Sequence, residues 1–260
     1  FGYWCSPELR DAFVNHPVLE GNAGRARQGL ATADDFRFLR LRWEVKDDAI
    51  GVGSWMPFAK GGEYSPFFDD IYLLLNWQKA GAEIIAWGKG RPQNTDIFGK
   101  PGLTWPRRTN KRFAPRALPV GCAFGDKGPV TVGIEPDAWA LLAALNSRVV
   151  SYLISLGLGT AEAEGGAGAN SYEVGLVQRL PVPKSLTADV ELAKQSKQAW
   201  LASASSSGLR DETAAIFVSP VAPLDLQGSL EATWAALVAR DQEGLQKYVE
   251  AQEAIDQRTC

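Results

Sequence analysis

Four cationic side chains, one tryptophan and two threonines are concentrated in twelve residues, 102–113, of a chain whose net charge is −3. The wider window 89–127 carries nine cations against two carboxylates, a net charge of +7. A locally basic segment in an acidic chain concentrates positive potential at one place, so the pattern predicts a positioned anion site. The alternative is a solvated loop of mixed charge, which accounts for many short charge runs. The cations of this basic loop are Arg107, Arg108, Lys111 and Arg112.

Two earlier glycine-containing turns, residues 25–32 and 60–64, carry groups of the same kind. Backbone N–H groups at such turns can meet phosphate, and Arg and Gln side chains can bind guanine and adenine edges. A tyrosine or tryptophan can stack on an unpaired base. Gly61-Gly62 is equally consistent with a simple hairpin turn, and Trp105 with a core residue that anchors its loop. The candidate DNA-contacting residues are Arg27, Gln28, Thr32, Lys60, Tyr64, Trp105, Arg107, Arg108, Thr109, Lys111 and Arg112.

The two halves of the chain differ in charge. Residues 1–130 have a net charge of +4, and residues 131–260 have a net charge of −7. This asymmetry suggests that the first half faces a polyanion and that the second half has another task.

Several kinds of catalytic site find no support in the sequence. There is no glycine-rich phosphate loop and no Gly-x-Ser-x-Gly elbow, and the single histidine, His16, leaves no convincing Ser/His/Asp triad. The three cysteines lack metal-ligand spacing, so we predict neither catalytic residues nor a metal site. One nuclease-like pattern is present, in which Asp34 or Asp35 precedes Glu44 and Lys46, but a surface charge pair is the simpler interpretation. The cysteine usage and the lack of a long apolar run predict a cytoplasmic protein without membrane contact.

The pattern of apolar residues predicts an α+β fold. Short segments separated by Gly and Pro indicate a curved, mostly antiparallel sheet, and helical periodicity follows it. We therefore expect a recognition domain over residues 1–184 and a helical appendage over 185–260. The predicted strands are 36–45, 71–77 and 130–134; the predicted helices are 138–156, 187–202 and 230–257; the predicted loop is 157–170 and the predicted serine-rich linker is 203–208.

Blocks along most of the chain resemble the target-recognition region of large adenine-specific DNA methyltransferases. These include the PglX-type enzymes of phage-exclusion (BREX) systems and single-chain type II restriction-modification enzymes. Residues 103–109 resemble the family's x-Thr-Trp-x-Arg block, and residues 141–152 its Leu-Leu-Asn-Ser helix. Other resembling blocks, in the family's order, are 28–36, 40–45, 55–64, 71–77, 81–84, 172–175, 180–183, 211–213, 217–220 and 253–256.

The resemblance implies a double-stranded DNA recognition module that follows a methyltransferase domain. That domain would bind S-adenosylmethionine and lies outside this sequence, so no cofactor is expected in this chain. The first residue is not methionine and the sequence stops at Cys260, which fits an excised fragment. The expected partners are duplex DNA, the methyltransferase domain and other defence-system or phage proteins. A different class of function, a protein-interaction module using the acidic half, stays open.

One turn departs from the family's pattern. Where the family often has Thr-Gly-Asp-Asn, this chain has Thr32-Ala33-Asp34-Asp35. Because alanine has a side chain, we expect this turn to keep negative φ values and to lose a phosphate-binding conformation.

Overall fold

The computed structural model describes residues 6–158, 169–210, 213–217 and 229–260. These residues form the predicted α+β fold with mostly antiparallel strand pairing. The strands are β1 (Arg25–Arg27), β2 (Leu39–Leu41), β3 (Trp55–Ala59), β4 (Leu73–Asn76), β5 (Gly102–Thr104), β6 (Arg108–Thr109), β7 (Arg116–Leu118), β8 (Ala123–Phe124), β9 (Val130–Val132) and β10 (Asn170–Ser171). The helices are α1 (Pro7–Asn15), α2 (Asp35–Phe38), α3 (Ala82–Trp87), α4 (Ala138–Asn146), α5 (Arg148–Ser155), α6 (Val174–Gln178), α7 (Lys184–Thr187), α8 (Val190–Arg210) and α9 (Leu230–Thr259).

The strands lie in three small sheets, where we expected one curved sheet. One sheet has the order β1-β9-β5-β7 and is antiparallel throughout. A second has the order β2-β4-β3-β8, and its β3–β8 pair is parallel. Strands β6 and β10 pair as a separate two-stranded ribbon. Frequent Gly and Pro residues keep each strand short, which favours several small sheets over one long one.

The predicted helix 138–156 is confirmed, but it is divided into α4 and α5 with a bend of 65°. Asp137 caps α4 by accepting hydrogen bonds from Trp139 N and Ala140 N. Ser147 interrupts the helix, because its extended backbone ends α4 while its hydroxyl accepts from Val150 N at the start of α5.

Helices α8 and α9 form a hairpin that packs on α4. Leu192 of α8 and Ile255 of α9 are fully buried and join the same hydrophobic cluster as Trp105 of the basic loop. The final helix is confirmed, whereas the predicted linker 203–208 is wrong, because those residues continue α8. The division of the chain into two domains at residue 184 stays a prediction.

The first predicted strand is only partly correct. Residues 39–41 form β2, but Phe36 belongs to α2, where Asp34 caps the helix by accepting from Arg37 N. The helix cap at Asp34 therefore makes this segment helical, although its alternation of apolar and polar residues predicts a strand. The predicted loop 157–170 and the blocks 211–213 and 217–220 fall largely on residues 159–168, 211–212 and 218–220, which lie outside the described residues.

In the described part of the chain, no single helix is long and apolar enough to cross a membrane; α4 and α5 pass that test of length and composition only when taken together across their bend.

Cys122 is buried, and burial raises the pKa of its thiol to about 12.

Candidate nucleic-acid interface

The turn at residues 124–129, which we call the hub turn, brings the three predicted cationic segments together. Its backbone bonds to the first segment, since Asp126 N donates to Leu30 O at 3.0 Å. It bonds to the strand leading into the second segment, since Gly125 N donates to Ala59 O at 2.8 Å. It also accepts from the basic loop, because Arg107 N donates to Lys127 O at 3.0 Å. Segments far apart in the sequence thus share one surface.

Glycine allows these backbones to approach so closely. A Cβ atom on Gly29 would lie 2.1 Å from Phe124 O, and one on Gly61 would lie 2.3 Å from Lys127 O. Gly61 also has a φ of +96°, which side chains rarely permit. The glycines of the first two segments are therefore needed for their contact with the hub turn.

The basic loop is held from beneath by buried aromatic residues. Trp105 is 1% exposed, and its Nε1 donates to Tyr172 O at 2.9 Å. Phe113 packs between the Trp105 and Tyr172 rings, with centroid distances of 5.8 and 5.3 Å. Tyr172 also donates from its hydroxyl to Lys111 O at 3.1 Å and from its backbone to Arg107 O at 2.7 Å. The loop therefore has a fixed shape before any ligand arrives.

Asn146, at the end of α4, fastens the other end of this loop. Its buried amide donates to Pro115 O at 2.9 Å and to Leu142 O at 3.0 Å. Its backbone carbonyl accepts from Gln252 of α9 at 3.3 Å. One buried residue thus connects the loop to both the central and the final helix.

The cations of this surface are of two kinds. Arg25, Arg108, Lys111 and Lys127 are exposed. The others are partly exposed and have partners among the described residues: Arg27 with Glu20 at 2.7 Å, Lys60 with Asp35, Arg107 with Glu173 at 3.7 Å, and Arg112 with the hydroxyl oxygen of Tyr64 at 2.9 Å. Partnered cations are oriented by their neighbours, and the exposed ones are accessible to a ligand.

Two predicted contact residues are in the wrong place for their predicted role. Trp105 cannot stack on a base, because its ring is enclosed in the core; the anchoring alternative is correct. Thr32 is buried, and its hydroxyl donates to Asp35. Gln28 and Thr109 are half-buried. The Thr109 hydroxyl accepts from Lys111 N at 3.1 Å and so shapes the loop.

The turn at Thr32 also corrects our expectation for Ala33. Its φ is +58°, so the backbone adopts the left-handed conformation although the residue is alanine. The expected restriction to negative φ is wrong, since the surrounding contacts of Thr32, Asp34 and Asp35 hold the backbone in a strained region.

The two carboxylates of the nuclease alternative are each engaged locally. Asp35 accepts from Thr32 and pairs with Lys60. Glu44 accepts from Leu41 N at 2.7 Å and caps a short 3₁₀ turn. Among the described residues, no group of three or more His, Cys, Asp or Glu side chains is arranged to hold a metal ion.

The hub turn itself was missed by sequence reasoning. The pattern Gly-Asp-Lys-Gly at 125–128 predicts a turn, but nothing local reveals that three distant segments converge on it. Tyr172 and Asn146 were also missed as positioning residues, although both lie in blocks that carry the family resemblance.

Comparisons with known proteins agree with part of that resemblance. Over 164 residues, 59% of this chain, it is 31% identical to the adenine-specific methyltransferase BrxX of Escherichia coli O9:H4 (strain HS). Over 221 residues, 76% of this chain, it is 25% identical to the adenine-specific methyltransferase PglX of Lacticaseibacillus casei (strain Zhang). The aligned parts are 13% and 18% of those two proteins, so the chain corresponds to a small share of their length. No protein-family model matches the chain.

Proposed function

We propose that this chain is the double-stranded DNA recognition module of an adenine-specific, S-adenosylmethionine-dependent DNA methyltransferase of restriction-modification or phage-exclusion defence. The observation that carries the proposal is the surface around the hub turn. Three cationic segments meet there on a rigid base, with exposed Lys111 on a loop that is already shaped and exposed Lys127 on the hub turn. A preformed cationic surface of this kind suits the phosphate backbone of a duplex.

The names of the two relatives support the remainder of the proposal. Both are adenine-specific methyltransferases many times longer than the matched segment. We place methyl transfer and the binding of S-adenosylmethionine in a catalytic domain outside this chain. In that arrangement this module holds the DNA, and its cationic residues orient the duplex for the catalytic domain.

Duplex binding across a salt series tests the proposal. Fluorescence anisotropy of the full chain with a labelled mixed-sequence duplex should show an affinity that falls with salt, with a slope of roughly −0.9 per phosphate contact. Lys111→Ala combined with Lys127→Ala should lower the affinity and reduce the magnitude of the slope by roughly 0.9 for each phosphate that is no longer neutralised.

Lys194→Ala combined with Lys247→Ala is the matched control. Both lysines are exposed on the helical hairpin, and the change in net charge is the same. This control should leave the slope unchanged. Equal effects of the two double variants, or no binding at low salt, would refute the assignment of the surface.

A protein-interaction module is the second candidate, and one feature of α9 favours it. Trp234, Val238, Leu245 and Val249 are exposed, and their spacing places them on one face of the helix. Exposed apolar rows of this kind mark contacts with other proteins. A chain that never shifts with duplex in size-exclusion chromatography at low salt would favour this candidate over DNA recognition.

A further inference from the structure

The ribbon of β6 and β10 carries a cationic and an acidic side chain on its exposed face. Arg108 lies directly opposite Ser171 in the antiparallel register, so their side chains share one face. Tyr172, the next residue, is buried beneath the basic loop. Because side chains alternate along extended backbone, Ser171 and Glu173 lie on the face away from the core. Glu173 has an extended backbone and a half-exposed side chain.

This face carries a strong donor and a strong acceptor. Arg108 is exposed and offers a planar guanidinium, which donates in pairs. The carboxylate of Glu173 accepts from the Ser171 hydroxyl at 2.7 Å, and Arg107 Nε lies 3.7 Å from the same oxygen. These two neighbours orient Glu173, so the acceptor has a defined direction.

The two groups match one base pair in the major groove. Guanine presents two acceptors there, which suit arginine, and cytosine presents an amino group, which suits a carboxylate. The groove is wide enough for a two-stranded ribbon. The ribbon is bordered by Lys111 on the basic loop and by Lys127, whose carbonyl accepts from Arg107 N. Exposed lysines therefore lie on segments next to the ribbon.

We infer that the β6–β10 ribbon enters the major groove and reads a G·C base pair, with Arg108 on guanine and Glu173 on cytosine. The inference rests on the proposed function, since it assigns base readout to part of the same surface. Arg107 then serves as a positioning residue that orients Glu173. The carboxylate of Glu173 lies on a basic surface, where it would weaken binding to phosphate. Contact with cytosine accounts for its presence there.

Selection from a duplex pool with a randomised core tests the inference. The full chain should enrich a motif that contains a fixed G·C base pair. Arg108→Ala should relax the preference for that guanine by about tenfold or more. Glu173→Gln should weaken the preference for the same G·C pair, because an amide suits the adenine edge and adenine in that position would remove the guanine that Arg108 contacts.

Lys111→Ala is the control, since a phosphate contact should weaken binding to all sequences equally and leave the motif unchanged. Salt-dependent binding with the same motif for wild type, Arg108→Ala and Glu173→Gln would overturn the readout while leaving DNA recognition intact. Binding by wild type without any enriched motif would overturn it as well. Failure of the wild-type chain to bind duplex would remove the proposed function and this inference together.

Discussion

The basic loop and the α8–α9 hairpin present their side chains in opposite ways. In the basic loop, exposed cations stand on a buried layer of Trp105, Phe113 and Tyr172. In the hairpin, large apolar side chains such as Trp234 are themselves exposed, and an open cleft of about 1180 Å³ separates parts of the two helices. The first region has its apolar groups inside and its charge positioned outside. The second has large apolar side chains on its surface.

The two ends of α9 differ in how firmly the rest of the molecule holds them. The 30 residues of α9 extend over about 45 Å, and its C-terminal end is fastened to α4 and α5. There Ile255 is buried, and Asp256 accepts from Arg148 N at 2.7 Å. Nearer its start, Trp234 is 68% exposed. A binding surface that must match its ligand before contact needs a supported base like that of the basic loop. A surface that becomes ordered only on contact is compatible with exposed apolar side chains like those of α9.

Replacing one tryptophan in each region should give the largest contrast. Trp105→Ala should lower the free energy of unfolding by about 3–5 kcal/mol, because it leaves a cavity in the core. Trp234→Ala should change it by no more than about 0.5 kcal/mol, because the side chain is mostly in solvent. Urea unfolding of both variants measures the two values.

Trp105→Phe separates packing from hydrogen bonding. It keeps an aromatic ring but leaves Tyr172 O without its buried donor, so we expect a smaller decrease of about 1–3 kcal/mol. Similar decreases for Trp105→Ala and Trp234→Ala would show that the two regions do not differ in this way.

The sequence predicts the second region better than the first. The start of α9 and its length follow from helical periodicity and the Ser229 cap, which are local signals. The serine-rich segment 203–208 misled us, because packing against α9 keeps it helical despite its weak propensity. In the basic loop, the cations are evident from the sequence, but their support is not. Trp105 reaches Tyr172 across 67 positions, and such contacts leave no local pattern.

Charge alone also predicts the candidate site incompletely. The basic loop stands out by composition, and its cations do lie together with those of residues 25–32 and 60–64. Which of them are accessible depends on partners such as Glu20 and Asp35, chosen by the fold. Glu173 counts against a basic site in any summation of charge, yet it shares a face with Arg108.

The buried carboxylate of Asp69 should make stability depend on pH. The carboxylate of Asp70, next to it, accepts from Ala215 N, between α8 and α9, at 3.0 Å. Its neighbour Asp69 lies 3.1 Å from the buried guanidinium of Arg116. Burial, against the opposing effect of Arg116 and with smaller contributions from Asp70 and Glu63, raises the pKa of Asp69 to about 6.

The expected change follows from that raised pKa. The folded state holds the Asp69 proton more tightly than the unfolded state, so this group stabilises the fold most below about pH 4. That contribution should disappear as the pH rises through about 6. Since a third of the side chain is exposed, we expect a decrease of about 1–2 kcal/mol.

Urea unfolding between these pH values measures the decrease, and NMR titration measures the Asp69 pKa directly. Asp69→Asn should flatten this part of the profile, while Asp48→Asn, at an exposed carboxylate, should leave it as it is. An Asp69 pKa near 4, or an unchanged profile in Asp69→Asn, would contradict the assignment.

The smallest expected change in stability comes from backbone strain, which in the described residues occurs among the strands and not in the α8–α9 hairpin. The five described residues other than glycine that have a positive φ lie between positions 33 and 94. Ala33→Gly should raise the free energy of unfolding by about 0.5 kcal/mol, since relief of the left-handed strain exceeds the added chain entropy. The reverse exchange in the hairpin, Gly244→Ala, should also stabilise by about 0.5–1 kcal/mol, because that glycine is inside α9 and a methyl group there meets nothing within 4 Å. Thermal unfolding of both variants tests the pair, and a decrease in stability for Ala33→Gly would mean that the turn at Thr32 carries no strain.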